Sequence, residues 1–264
     1  MGAYIQIMKD TWAEYMTYRL NFMMWRVRMV MQILVIYFLW WAIFSTQKHF
    51  FGYNQSMILT YVLLMSVVRT IALSTTTLEI GDIINQGNLS NFLVRPINFF
   101  SYYAARDTAD KALNIGCSLV ELSFLFLLLR PPIFLQTNPA YIILTLFAVA
   151  IGTVLYFFFS LLMGLLGFWT PDFWSVRFLA FITVDFFAGG LFPLDILPKP
   201  LYIVSQSLPF LYFVYFPLKI YLGQLTALQI VRGCVVGVLW VVGMAGGAVL
   251  LWKKGLKVYT AEGK

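Results

Sequence analysis

The chain has 264 residues, of which 61% are hydrophobic and only 11% charged, with a mean hydropathy of +0.83. One soluble core cannot hide that much apolar surface, so the composition excludes a water-soluble globular protein and points to a chain embedded in lipid. The net charge of +7 rests on 18 basic residues without a dense Lys/Arg run, which argues against a nucleic-acid partner and for the uneven loop charge of a membrane protein.

Residues 3–20 have helical amphipathic spacing. At 100° per residue, Tyr4, Ile5, Met8, Trp12, Tyr15 and Met16 share one arc, and Gln6, Asp10, Glu14 and Thr17 face away from it. An interfacial helix is predicted within 1–25. Asp10 and Glu14 break any clean apolar stretch there, so a cleavable signal peptide is not expected.

A span needs roughly 20 apolar residues to cross about 30 Å of hydrocarbon. Six apolar runs are read as spans, at 27–46, 57–77, 111–129, 141–169, 178–192 and 230–252. The first follows a basic collar, Arg26 and Arg28. Short polar loops separate most of them, and no segment is polar and long enough to fold as a second domain, so one membrane domain over 1–264 is expected. With both termini cytoplasmic, the inner regions hold Lys9, Arg19, Arg26, Arg28, Arg95, Arg106, Lys111, Arg177, Lys253, Lys254, Lys257 and Lys264. The outer regions hold Lys48, Arg130, Lys199, Lys219 and Arg232. That excess sets the orientation.

The stretch 193–223 is apolar but carries Pro193, Pro198, Pro200, Pro209 and Pro217. Proline removes backbone donors and kinks helices, so a re-entrant pair of short helices on the outer side is predicted rather than a straight span. The predicted fold class is therefore all-α: six transmembrane helices, an N-terminal interfacial amphipathic helix, and a re-entrant helical hairpin before the last span.

No catalytic constellation is visible. His49 is the single histidine and reads as a loop residue. Cys117 and Cys234 stand alone in apolar runs, as small buried hydrophobes do. The sequence G-x-x-x-x-G-K-[ST] is absent, and the one Gly-Lys pair is Gly263-Lys264, so the chain is not expected to bind ATP by a Walker A loop or to act as an enzyme. Arg69, Glu121 and Asp185 lie inside spans, where a lone charge costs roughly 3 kcal/mol or more. They either line a transport path or form a structural pair, Arg69 with Glu121 or with Asp185. Gly233/Gly237 and Gly243/Gly247, each four apart, are the small-residue spacing of close helix packing.

The polar stretch 78–110 carries the most specific local pattern. Gly87 can stop a preceding helix, Ser90 or Asn88 can cap the next, Leu89, Phe92 and Leu93 share a helical face, and Pro96 ends it. A short capped helix with an exposed apolar face reads as a docking element, or as a helix resting on the membrane.

Three features resemble the permease subunits of type-2 ABC exporters. Glu79, Gly87-Asn88-Leu89 and Leu93-Val94-Arg95-Pro96-Ile97 are similar to that family's E…G-x-L…L-x-R-P-I stretch. Gly190-Leu191-Phe192-Pro193, Leu197-Pro198 and Leu208-Pro209-Phe210, with Pro217 and Gly223, are similar to its proline-rich re-entrant region. The order of interfacial helix, spans and cytoplasmic ends is also similar, so the resemblance covers nearly the whole chain.

The resemblance implies a bacterial inner-membrane exporter made of two such permeases and two ATPase subunits. ATP and Mg would sit in the partner ATPase, with no cofactor on this chain, and membrane lipids would surround it. Glu79, Gly87, Leu89, Phe92, Leu93, Arg95 and Pro96 would couple to the ATPase, and Pro193, Pro198 and Pro209 would form an outer gate. An amphipathic or lipid-like substrate fits the apolar surfaces. The alternative is an ion-coupled secondary transporter that uses Arg69, Glu121 and Asp185 as a relay; no internal repeat supports it.

Overall fold

The computed structural model describes residues 2–47 and 49–260. Lys48, Lys264 and the Gly263-Lys264 pair lie outside the described residues. Among the described residues the regular structure is helical, apart from one isolated bridge between Phe50 and Tyr53.

Helix α1 (Gly2–Thr17) bends at Tyr18 into α2 (Arg19–Thr46). Helix α3 (Gln55–Leu73) starts where the Asn54 side chain accepts from the Met57 N–H. Two short helices follow, α4 (Ile80–Asn85) and α5 (Ser90–Leu93), then the long α6 (Phe99–Leu129). Asn138 and Asp172 cap α7 (Pro139–Leu165) and α8 (Phe173–Phe187) in the same way as Asn54 caps α3. These caps satisfy amide donors that the next turn cannot reach.

Beyond α8 the chain breaks into a 3-10 turn (Leu194–Ile196), α9 (Lys199–Ser207), another 3-10 turn (Pro209–Tyr212) and α10 (Tyr215–Tyr221). The final helix α11 (Ala227–Val258) opens with a capping box between Thr226 and Gln229.

Five helices are long and apolar enough to cross a membrane: α2, α3, α6, α7 with its 3-10 extension to Phe168, and α11. The run expected as a span at 178–192 forms α8, which starts earlier and has only 15 residues. At 1.5 Å per residue it is about 22 Å long, shorter than the hydrocarbon core. The Asp172 carboxylate sets that early start by accepting from Trp174 N–H and Ser175 Oγ–H.

Helix α7 is the hub: it packs on α3, α10 and α11, while α3 also packs on α2 and α6, and α1 runs along α6. Ile58, Leu59, Tyr61 and Val62 of α3 are buried against Phe213, Val214 and Ile220 of the broken segment. Its second half, from Leu211 to Ile220, is thus covered by protein, whereas α9 is largely exposed.

The four glycines expected to pack helices separate into two kinds. A Cβ at Gly233 would lie 2.3 Å from the Phe216 ring, and one at Gly237 3.0 Å from Ile151, so both mark close approach. Gly243 faces open space and Gly247 makes ordinary contact. That spacing therefore serves packing within the chain at its first half only. The closest approach on α11 is one the spacing does not reveal, Gly255 against Phe168.

Candidate coupling site

Helix α4 lies tight on the end of α7. A Cβ on Gly81 would come within 2.4 Å of the Phe173 ring, and one on Gly167 within 2.7 Å of the Gly81 Cα, so backbone meets backbone at this point. Gly87 stops α4 as its sequence suggests. It takes φ +72°, its N–H reaches Ile84 O, and Asn88 N–H reaches Ile83 O. These two bonds close a Schellman motif that satisfies the last carbonyls of the helix.

The apolar face expected of Leu89, Phe92 and Leu93 is corrected by the structure. Leu89 is 0% exposed and packs with Ile80, Ile84, Tyr103, Leu161 and Phe168. Phe92 is half-buried against Tyr102 and under the Arg95 guanidinium. The expected cap is also absent: Leu89 holds the N-cap position without a side-chain bond, and Ser90 Oγ–H donates back to Gly87 O. A four-residue helix has too few turns for a separate outer stripe, so its first apolar residue turns inward. The exposed tip is Leu93, Val94, Arg95 and Pro96, with Val94 84% exposed.

Ion pairs tie α4, which leads to this tip, to the helices around it. Glu79 Oε1 meets Arg106 Nη1 at 2.9 Å, and Arg106 Nη2 meets Glu14 Oε2 at 2.8 Å, linking the start of α4 to α6 and α1. Burial pushes the Glu79 carboxyl above its ordinary pKa, and Arg106 pulls it the other way. Asp82 pairs with Arg177 of α8, and Asn85 donates to the carbonyls of Thr170 and Pro171.

Deeper in the helices, the charged residues find partners. Arg26 is 6% exposed and grips Glu121 with two bonds, Nε to Oε1 at 2.6 Å and Nη2 to Oε2 at 2.5 Å, while also donating to Asn114 and Ser118. Arg69 pairs with Asp185 at 2.5 Å. Of the two pairings expected for Arg69, the one with Asp185 forms. Glu121 is held instead by Arg26, a residue read from the sequence as part of a basic collar. Asp110 accepts from Tyr15, Ser74 and Asn114, which fastens α1 to the junction of α3 and α6.

At the other end of the helices, Pro193 and Pro198 flank the Leu194–Ile196 turn and Pro209 opens the next 3-10 turn. Lys219 of α10 is buried and donates to Asp195 (2.8 Å), Tyr53 (3.2 Å) and Gln224 (2.6 Å).

A family model described as ABC-2 family transporter protein matches residues 29–263. The chain belongs to this family. Comparison with curated proteins and with solved structures returned no match. An ABC-2 permease is the membrane component of a transporter that normally works with an ATPase partner, and the multiple apolar helices are those of a multi-pass membrane protein.

Two features of this permease escape sequence reasoning. One is the Lys219–Asp195 pair, which joins α10 to the Leu194–Ile196 turn and of which the sequence shows only Lys219 as an outer basic residue. The other is Tyr259, just past α11. Its hydroxyl donates to Gly87 O at 2.5 Å and accepts from Ser90 N–H at 3.1 Å, so the end of the last helix holds the turn that presents the tip. The signal available was a lone tyrosine after Lys253, Lys254 and Lys257. Tyr259→Phe removes both bonds but keeps the ring against Phe168. It is expected to lower thermal stability by about 1 kcal/mol and to speed amide hydrogen exchange at 87–95; unchanged exchange there would deny Tyr259 this holding role.

Proposed function

We propose that the chain is the transmembrane half of an ATP-driven exporter in a bacterial inner membrane, moving an amphipathic or lipid-like substrate outward. Two permeases, identical or related, would join two ATPase subunits that carry ATP and Mg. Both termini would be cytoplasmic. In this reading the whole chain is one permease domain, α8 with its flanking residues is the sixth crossing in total, and 193–223 is a re-entrant external hairpin whose prolines Pro193, Pro198 and Pro209 form an outer gate.

The observation that carries the reading is the tip Leu93 to Pro96. It is solvent-exposed, with Leu93, Val94 and Pro96 around Arg95, and the segment that leads into it is fastened through Glu79 to α6, through Asp82 to α8, and through Gly87 and Ser90 to Tyr259 just past α11. A rigid, exposed element joined to several long helices can pass a displacement to all of them together. The pairing of Glu121 with Arg26 and of Asp185 with Arg69 weighs against an ion-coupled relay, which needs carboxylates free to take up protons.

The permease purified alone is expected to hydrolyse no ATP, and co-expression with the ATPase encoded beside it is expected to give a stable complex that does. Transport that stops when the proton gradient is collapsed at constant ATP would refute this reading and favour the secondary transporter.

A further inference from the structure

Two adjoining cavities open between α2 and α8. One, of about 310 Å³, is lined by Arg28, Arg177, Phe159 and Trp174; the next, of about 120 Å³, by Trp25, Gln32, Arg69 and Asp185. Arg28, Tyr156 and Phe181 line both, so the two form one groove with Arg28 at its middle. Trp174, Phe178 and Phe181 of α8 are exposed along its rim, which leaves the groove open to the side.

The charges in this groove do not balance. Arg69 is answered by Asp185 and Arg177 by Asp82, but Arg28 has neither a carboxylate nor a hydrogen-bond partner among the described residues. Arg28 is exposed in the open groove beside Tyr156 and Phe181, so its guanidinium is free to hold an anion that accepts two parallel N–H bonds while an apolar tail lies on the aromatic rim. The larger crevice between α3 and α6, about 500 Å³, is lined by no charged residue and so selects no head group.

We infer that the α2–α8 groove binds an amphiphile with a phosphate-type anionic head, the head on Arg28 and the apolar tail along Trp174, Phe178 and Phe181. The inference rests on the exporter reading for the meaning of the site and narrows its substrate to anionic amphiphiles. Entry from the side suits a molecule already dissolved in the bilayer.

The test uses the full chain in phosphatidylcholine nanodiscs and a dodecyl phosphate brominated on its tail, read by quenching of tryptophan emission. Saturable quenching is expected. It should weaken about tenfold in Arg28→Gln, the loss of one charge-assisted contact, and stay unchanged in Arg232→Gln, which lies on α11 away from the groove. Because Arg28 makes no bond within the fold, its removal leaves folding intact; an unaltered melting curve checks this. Brominated dodecyl maltoside and dodecyltrimethylammonium should quench only in proportion to their partitioning.

Equal quenching by the three amphiphiles, or none lost in Arg28→Gln, overturns the inference. Displacement by inorganic phosphate alone also overturns it, since the site would then read a free anion and not a lipid-borne one. No outcome depends on the ATPase, so a permease that binds the probe but recruits no ATPase would refute the exporter reading and leave this site standing.

Discussion

Aspartate at Val94 or Leu93 is expected to abolish co-purification of the ATPase and ATP-dependent transport, while the permease itself stays folded and monodisperse. Val94 is 84% exposed and Leu93 48% exposed, so neither supports the core. In the proposed complex a carboxylate on the exposed Leu93–Val94 pair loses hydration against the partner, and such central contacts carry several kcal/mol of binding. The same change at Leu89 should behave differently. Leu89 is fully buried among Ile80, Ile84 and Tyr103, so Leu89→Asp is expected to cost about 3 kcal/mol or more of stability and to reduce the amount of folded protein. The two outcomes are separated by size-exclusion and thermal melting alongside the pull-down. Normal complex formation by Val94→Asp and Leu93→Asp would remove the tip from the mechanism.

The second large effect is expected at Arg26 and Glu121. Removing one partner of a buried, bidentate pair leaves a charge without compensation, a loss of about 3–5 kcal/mol. Arg26→Met should therefore lower the melting temperature sharply. Arg26→Met combined with Glu121→Leu should recover most of the loss, because the carboxylate is then gone as well and apolar side chains suit the site. If transport falls in the double variant while its melting curve is restored, the pair acts in the transport path and not only in the fold. If transport returns with stability, the pair is structural.

Long apolar runs made α2, α3, α6, α7 and α11 legible, since crossing a bilayer demands length and apolarity that show in composition alone. Gly87 was legible as a helix stop because positive φ favours glycine, and the segment with five prolines was legible as broken because its amides are missing. What escaped depends on tertiary placement. Arg26 looks like a collar residue in Arg26-Val27-Arg28, yet one face of α2 meets α6 and the other meets a groove, so the two arginines have opposite environments. Leu89 belongs to the right motif but to the core, because α5 is one turn long. The α8 run looked like a span shifted toward 192, but Asp172 captures its start and Ala188 to Phe192 leave the helix. Lys219 with Asp195, and Tyr259 with Gly87, are meetings between distant segments that no local spacing encodes.

The most direct measurement is site-specific cross-linking from Val94→Cys in a chain with Cys117 and Cys234 replaced by serine. The account predicts that a membrane-impermeant thiol reagent labels this position in inverted inner-membrane vesicles but not in intact spheroplasts, and that a short cross-linker joins it to the ATPase. Labelling from the outer side, or cross-links that never include an ATPase, would contradict it.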